Sequence, residues 1–146
     1  DAEVIANPMT GTFEYEKGDV RAVPDSNVFF RNNATYPFYS DAIWYLTQMR
    51  RWGQIAEPKS DEWFFETAQS VYQPDIYLKA ARLLVDDGMA EEADFPWDSD
   101  GFKVPTPADH VIDAIAYDGR TPNAYLDSLP IGLKGDQTIA GSTIQN

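Results

Sequence analysis

The stretch Ala34-Thr35-Tyr36-Pro37-Phe38-Tyr39-Ser40-Asp41-Ala42-Ile43-Trp44-Tyr45-Leu46-Thr47-Gln48-Met49-Arg50-Arg51-Trp52-Gly53 decides the fold. The ring of Pro37 disfavours helical backbone at Tyr36, so Tyr36-Pro37-Phe38 reads as extended chain leading into a helix. Ser40 is placed to cap that helix at Asp41, and Gly53 to end it in a left-handed turn. Ala42, Ile43, Trp44, Tyr45, Leu46 and Met49 leave almost no polar face before Arg50 and Arg51, the pattern of a helix enclosed by other elements. A central buried helix over 41–52 is therefore expected, with Trp44 and Leu46 in the core.

Downstream, Ser60 stands before Asp61 and Glu62, whose carboxylates suit the positive end of a helix dipole. Phe64, Ala68, Val71 and Tyr72 then recur at i, i+4, i+7 and i+8, giving a helix over 61–72 with one apolar face. Pro74 fits the first position of a third helix over 75–87. Its apolar face would be Tyr77, Ala80, Ala81 and Leu84, with Gly88 as its stop. Thr106-Pro107-Ala108-Asp109 resembles a capping box for a short helix over 107–115 that buries Val111, Ile112 and Ile115. Thr121-Pro122 repeats the start for a last helix over 122–129.

Upstream, Asp1–Ala6 reads as a last helical turn stopped by Pro8. Phe13-Glu14-Tyr15 and Val20-Arg21-Ala22-Val23 flank a turn containing Gly18, which predicts a short exposed hairpin. Pro24–Asn27 is a turn cluster, and Val28-Phe29-Phe30 a short buried run. From Pro130 onward Gly132, Gly135 and Gly141 stand among Ser, Thr and Gln without periodicity. The chain thus divides into an extended, hairpin-bearing segment over 1–33, a helical domain over 34–129 and a flexible tail over 130–146. The fold class is mainly α with a few short strands.

The 146 residues amount to about one domain, and 43% hydrophobic and 14% aromatic residues suffice for a core. Eleven basic residues against 24 acidic give a net charge of −13. Such a surface repels nucleic acid and anionic membranes. No apolar run approaches the roughly 20 residues that span a bilayer, so membrane insertion is not expected. The absence of cysteine removes disulfides and thiol chemistry. The chain opens on Asp1-Ala2-Glu3-Val4, without an initiator methionine or a signal-peptide pattern, and reads as a processed or excised piece.

Catalytic signatures are missing. The lone His110 adjoins Asp109 on a helix start, where neighbours at i and i+1 do not face each other. No phosphate loop, nucleophile elbow or paired histidine occurs, so no enzyme, cofactor or zinc site is expected. Asp86 to Asp100 holds seven carboxylates and no base. A calcium loop aligned on Gly101 would place Pro96 and Pro107 at ligand positions, so the stretch reads as a solvated acidic face with an Asx turn. Phe95-Pro96-Trp97 reads as a loop anchored by aromatic packing.

Tyr36-Pro37-Phe38-x-Ser40-x-x-Ile43-Trp44-Tyr45-Leu46-Thr47-Gln48-x-x-Arg51-Trp52-Gly53 is similar to a block of the nitrate- and bicarbonate-binding proteins of bacterial ABC importers. That periplasmic two-lobed family is itself similar to taurine and sulfonate binders. Pro74-Asp75-Ile76-Tyr77, Ala93-Asp94-Phe95-Pro96-Trp97 and Asn123-Ala124-Tyr125-Leu126-Asp127-Ser128-Leu129 follow in the family's order, so the resemblance covers roughly Met9 to Lys134. It implies the carboxy-terminal, closing portion of a type 2 periplasmic-binding-protein α/β fold. It also implies a periplasmic location, a small-anion ligand such as nitrate, nitrite or bicarbonate, and an ABC permease or another protein chain as partner. The residues it points to are Tyr36, Tyr39, Asp41 and Trp44. The family has lysine where Tyr39 stands and often histidine where Asp41 stands. Tyrosine brings no charge, and an aspartate repels an anion by roughly 1 kcal/mol at ~4 Å. Arg50 and Arg51 would lie about 13 to 17 Å along the helix from its start, too far to compensate. The alternative implied is an interaction or regulatory module that kept the helices and lost the ligand site.

Overall fold

The computed structural model describes residues 9–24, 30–110, 114–129, 138–139 and 142–143. They fall into two compact units, Asp1–Thr35 and Tyr36–Asn146. The expected helical turn over Asp1–Ala6, the run at Val28 and Phe29, and most of the 130–146 tail lie outside the described residues.

In the first unit, β1 (Thr12–Glu16) pairs antiparallel with β2 (Asp19–Ala22), with Phe13 opposite Arg21 and an irregularity between Glu14 and Glu16. Gly18 makes the turn at φ 86°, a conformation that a side chain rarely tolerates. Its amide donates to Glu14 Oε1 at 2.8 Å. Phe13 and Tyr15 meet edge to face at 5.0 Å and Arg21 lies 4.7 Å over Tyr15, all on an exposed surface. The predicted hairpin is present. Phe30, expected in a buried run, is exposed.

In the second unit, α1 (Tyr39–Arg51), α2 (Asp61–Val71) and α3 (Pro74–Asp86) follow one another through short connections, and α4 (Pro122–Asp127) comes after the long segment 87–121. Ile43 and Phe64 are fully buried and meet Ala42 and Ala68 where α1 crosses α2. Tyr117, Tyr125 and Leu129 form a second cluster, and Leu126 touches both. Ser60 caps α2 as expected, its hydroxyl accepting from the Trp63 amide at 3.2 Å. Gly53 and Gly88 follow α1 and α3 at φ 75° and 69°, the left-handed stops that the sequence placed there. Thr138–Ile139 (β3) pairs antiparallel with Ser142–Thr143 (β4).

Four expectations are corrected. The first helix is not enclosed: it buries Ser40, Ala42, Ile43, Thr47, Arg50 and Arg51, while Trp44, Tyr45 and Met49 face solvent. One apolar face suffices because, among the described residues, α2, α4 and the turns lie against one side of it, so an all-round apolar sequence here leaves a face over. Ser40 is not its cap. Phe38 precedes the helix with no side-chain bond, because Ser40 is the second helical residue and its hydroxyl accepts from the Lys103 amide of another loop. Val71, Ala80 and Leu84 are exposed rather than buried, since nothing in the described chain lies over those faces. Among the described residues of the helix expected over 107–115, only Ala108–His110 is helical, as a 3-10 turn. Thr106 gives both its backbone groups to Tyr117, N to O at 2.7 Å and the reverse at 3.0 Å, which removes it as a helix cap. Ala114 is left-handed at φ 54°, which stops any helix there. Val111 and Ile112 lie outside the described residues, and Ile115 packs partly buried on the Tyr117 cluster.

Candidate functional site

The first turn of α1 is held by two loops that reach it from far along the chain. The Tyr39 amide donates to the Gly101 carbonyl at 2.7 Å. The Lys103 amide donates to Ser40 Oγ at 3.1 Å, and the Tyr117 hydroxyl donates to the buried Ser40 carbonyl at 2.6 Å. Both loops come this close only because they carry glycine. A β-carbon on Gly101 would stand 2.4 Å from the Tyr39 ring, and one on Gly119 would stand 2.8 Å from the Ser40 backbone.

Each loop bends through an aspartate. Asp100 Oδ1 accepts from the Phe102 amide and Asp118 Oδ1 from the Arg120 amide, both at 2.9 Å, the same Asx turn at two Asp-Gly pairs. The turns deliver two cations. Lys103 Nζ lies 2.9 and 2.7 Å from the two Asp41 oxygens and 5.0 Å over the Phe38 ring. Arg120 bonds Asp100 Oδ2 at 2.6 Å and lies 4.7 Å over Phe102, which in turn meets Tyr39 edge to face at 5.9 Å.

The four residues expected at the ligand site are only partly brought together. Tyr36 is buried edge to face against Phe38 at 4.6 Å and Tyr77 at 5.4 Å. Burial raises the Tyr39 hydroxyl above its ordinary range, and the negative charge of Asp75 and the phenol of Tyr36 add to this. Tyr36 and Tyr39 therefore share one neighbourhood. Asp41 is engaged by Lys103. Trp44 stands apart on the outer side of α1, its ring against Tyr45 at 5.3 Å. Arg50 is committed to the far end of the helix, where it donates to the Ile55 and Ala56 carbonyls at 3.1 and 2.9 Å.

Charge at the site is balanced rather than positive. The Phe102 amide and Arg120 hold the Asp100 carboxyl below its usual range. Desolvation, reinforced by Asp41 and by Tyr125 and Asp118, pushes the Tyr117 hydroxyl far above its ordinary range and keeps it a neutral donor. Lys103 and Asp41 remain 45% and 37% exposed, so their ion pair is worth at most about 1 kcal/mol. The Asp41 carboxylate, expected unpaired, is neutralised by Lys103 from another loop.

Over 130 residues, 87% of its length, the chain is 31% identical to the nitrate/nitrite binding protein NrtA of Synechococcus elongatus. The chain is a homologue of nitrate/nitrite binding proteins. A second NrtA, from Nostoc sp., is 33% identical over 70% of the chain. The bicarbonate transport ATP-binding protein CmpC of Synechococcus elongatus is 28% identical over 82%. The chain covers only 26%, 21% and 16% of these three relatives, so it corresponds to a minor part of each. No protein-family model matches it, and no solved structure matches it.

Lys103, Tyr117 and Arg120 escaped the sequence reading, and Gly101 and Asp118-Gly119 read only as turns, because they lie more than 60 positions from Ser40. One signal was available. Asp-Gly occurs at both 100–101 and 118–119, each followed within two residues by a base, and two such turns can present two cations side by side.

Proposed function

We propose that the chain is part, the carboxy-terminal part, of the substrate-binding component of an ABC importer for a small oxyanion such as nitrate, nitrite or bicarbonate, acting in the periplasm. It binds and does not transform its ligand. The observation that carries this reading is the homology to the two NrtA proteins over most of the chain. The geometry supports it through Lys103, a half-exposed amine paired with Asp41 in the first turn of α1. The ligand neighbourhood is formed by Tyr36, Tyr39, Asp41 and Lys103; Trp44 lies outside it.

A second reading is favoured by the balanced charges. Asp41 and Asp100 already occupy Lys103 and Arg120, as in an interaction or regulatory module that no longer takes a ligand. The homology to a transport protein named as ATP-binding is compatible with it, since this segment also occurs outside stand-alone binding proteins.

Amide NMR of the chain titrated with nitrate, nitrite and bicarbonate decides between them. Binding in the millimolar range, about 4 kcal/mol, is expected, with shifts centred on Tyr39, Gly101 and Lys103 and abolished by Lys103→Ala. Shifts no larger than those from chloride at equal ionic strength would leave the second reading standing.

A further inference from the structure

The outer face of α3 carries apolar side chains that the described chain does not cover. Ile76 and Leu83 are 63% and 66% exposed, and Ala80 between them is exposed as well. At i, i+4 and i+7 the three form a single stripe. Past the helix end, Met89 is 73% exposed. Its backbone is fixed, because the Met89 amide donates to the Leu84 carbonyl at 2.8 Å and the Gly88 amide to Val85 at 2.9 Å, the paired bonds of a Schellman stop. The opposite face is anchored by Ala81 and Pro74, and Tyr77 meets Tyr36 and Phe95 edge to face.

The stripe ends in negative charge. Asp86 closes the helix and Asp87 follows it, with no base in the last turn. Carboxylates here face the negative end of the helix dipole, where cations are favoured. Asp86 lies near Arg82, whose guanidinium is already held by both oxygens of Glu92 and lies 4.0 Å over Trp97. Asp87 forms no ion pair among the described residues. Glu91 and Asp94 follow in sequence, both exposed, each side chain accepting the other's backbone amide.

We infer that this face of α3 docks a cationic amphipathic segment of another protein, a helix whose apolar side lies along Ile76, Ala80, Leu83 and Met89 and whose Lys or Arg residues meet Asp87 and Glu91. Charge complementarity selects this occupant: a second copy of a chain carrying −13 would bring like charge to the same edge. The docking does not depend on an anion being bound at α1.

The test uses a synthetic helical peptide of leucine and lysine at amphipathic spacing, with a leucine-glutamate peptide of the same pattern as counter-probe. Saturable amide shifts confined to residues 76–94 are expected with the lysine peptide alone. Leu83→Glu should weaken binding about tenfold or more. Asp87→Asn should weaken binding while raising the melting temperature, because it removes a misplaced charge from the helix end. Glu62→Gln and Glu66→Gln on α2 should leave binding unchanged. Equal loss in those two variants would reduce the effect to general charge attraction and overturn the docking face. So would shifts spread over the chain, equal binding of the glutamate peptide, or equal binding to vesicles of anionic phospholipid. Leu83 and Asp87 are exposed, so these variants keep the fold, which circular dichroism verifies.

Discussion

Gly101 and Gly119 control how closely two loops approach the first turn of α1. Gly101 combines a left-handed φ of 85° with the Tyr39 ring 2.4 Å from where a β-carbon would be. Gly101→Ala is expected to destabilise the chain by about 1 to 3 kcal/mol. Urea unfolding with an unchanged midpoint would show that the loop gives way instead. Tyr117 acts at the same point, through one hydrogen bond to a buried carbonyl, and Tyr117→Phe should cost about 1 kcal/mol at neutral pH. Its alkaline behaviour follows from linkage. Burial raises the folded pKa above the ordinary 10.0, so the folded state holds the proton longer than the unfolded chain does. That stabilisation is complete below pH 10 and declines as pH rises above it. The phenylalanine variant should lose stability less steeply above pH 10, and parallel pH profiles would refute the assignment.

At the scale of elements, α1 shows how a helix with hydrophobic residues all round is used on one side. Ile43 is fully buried and Trp44 is 37% exposed, although both belong to the same apolar run. Ile43→Ala is accordingly expected to cost about 2 to 5 kcal/mol, and Trp44→Ala distinctly less than the 2 to 5 kcal/mol that a core position would imply. Leu46 packs partly buried on the Phe64 cluster and should fall between them. Urea midpoints of the three variants give the order, and a larger loss at Trp44 than at Ile43 would reverse the orientation of the helix. At the C-terminal end Arg50 donates to two carbonyls beyond the last turn. It complements the negative helix end as a charged donor, and its alanine variant should lose about 1.5 to 3 kcal/mol. The starts of α2 and α4 are tied together, since Asp61 Oδ1 accepts from the Asn123 amide at 3.1 Å and its side chain at 2.6 Å. No local pattern announced that link, because it joins positions 62 apart.

For the whole molecule, the excess of 24 acidic over 11 basic residues dominates the response to solvent. Like-charge repulsion opposes the compact state and is screened by salt within about 10 Å at 0.1 M. The melting temperature should therefore rise as sodium chloride is added from low ionic strength. A fall would mean that the exposed pairs Arg120–Asp100, Lys103–Asp41 and Arg82–Glu92 outweigh the net repulsion, contrary to their small expected worth.

What the sequence determined by itself was everything set by neighbours along the chain. Ser60 before two acids starts α2, Pro74 and Pro122 sit at first helical positions, Gly53 and Gly88 end two helices, and Gly18 turns the hairpin. These signals act over one turn and need no partner. Tertiary structure alone decided which side of an apolar helix faces inward and which loops reach the first turn of α1. Trp44 and Ile43 are equally apolar, and only the position of α2 separates them. Lys103 and Tyr117 reach the first turn of α1 only because Gly101 and Gly119 let two distant loops touch it. That approach depends on packing between segments, and no residue type or spacing near Tyr39 encodes it.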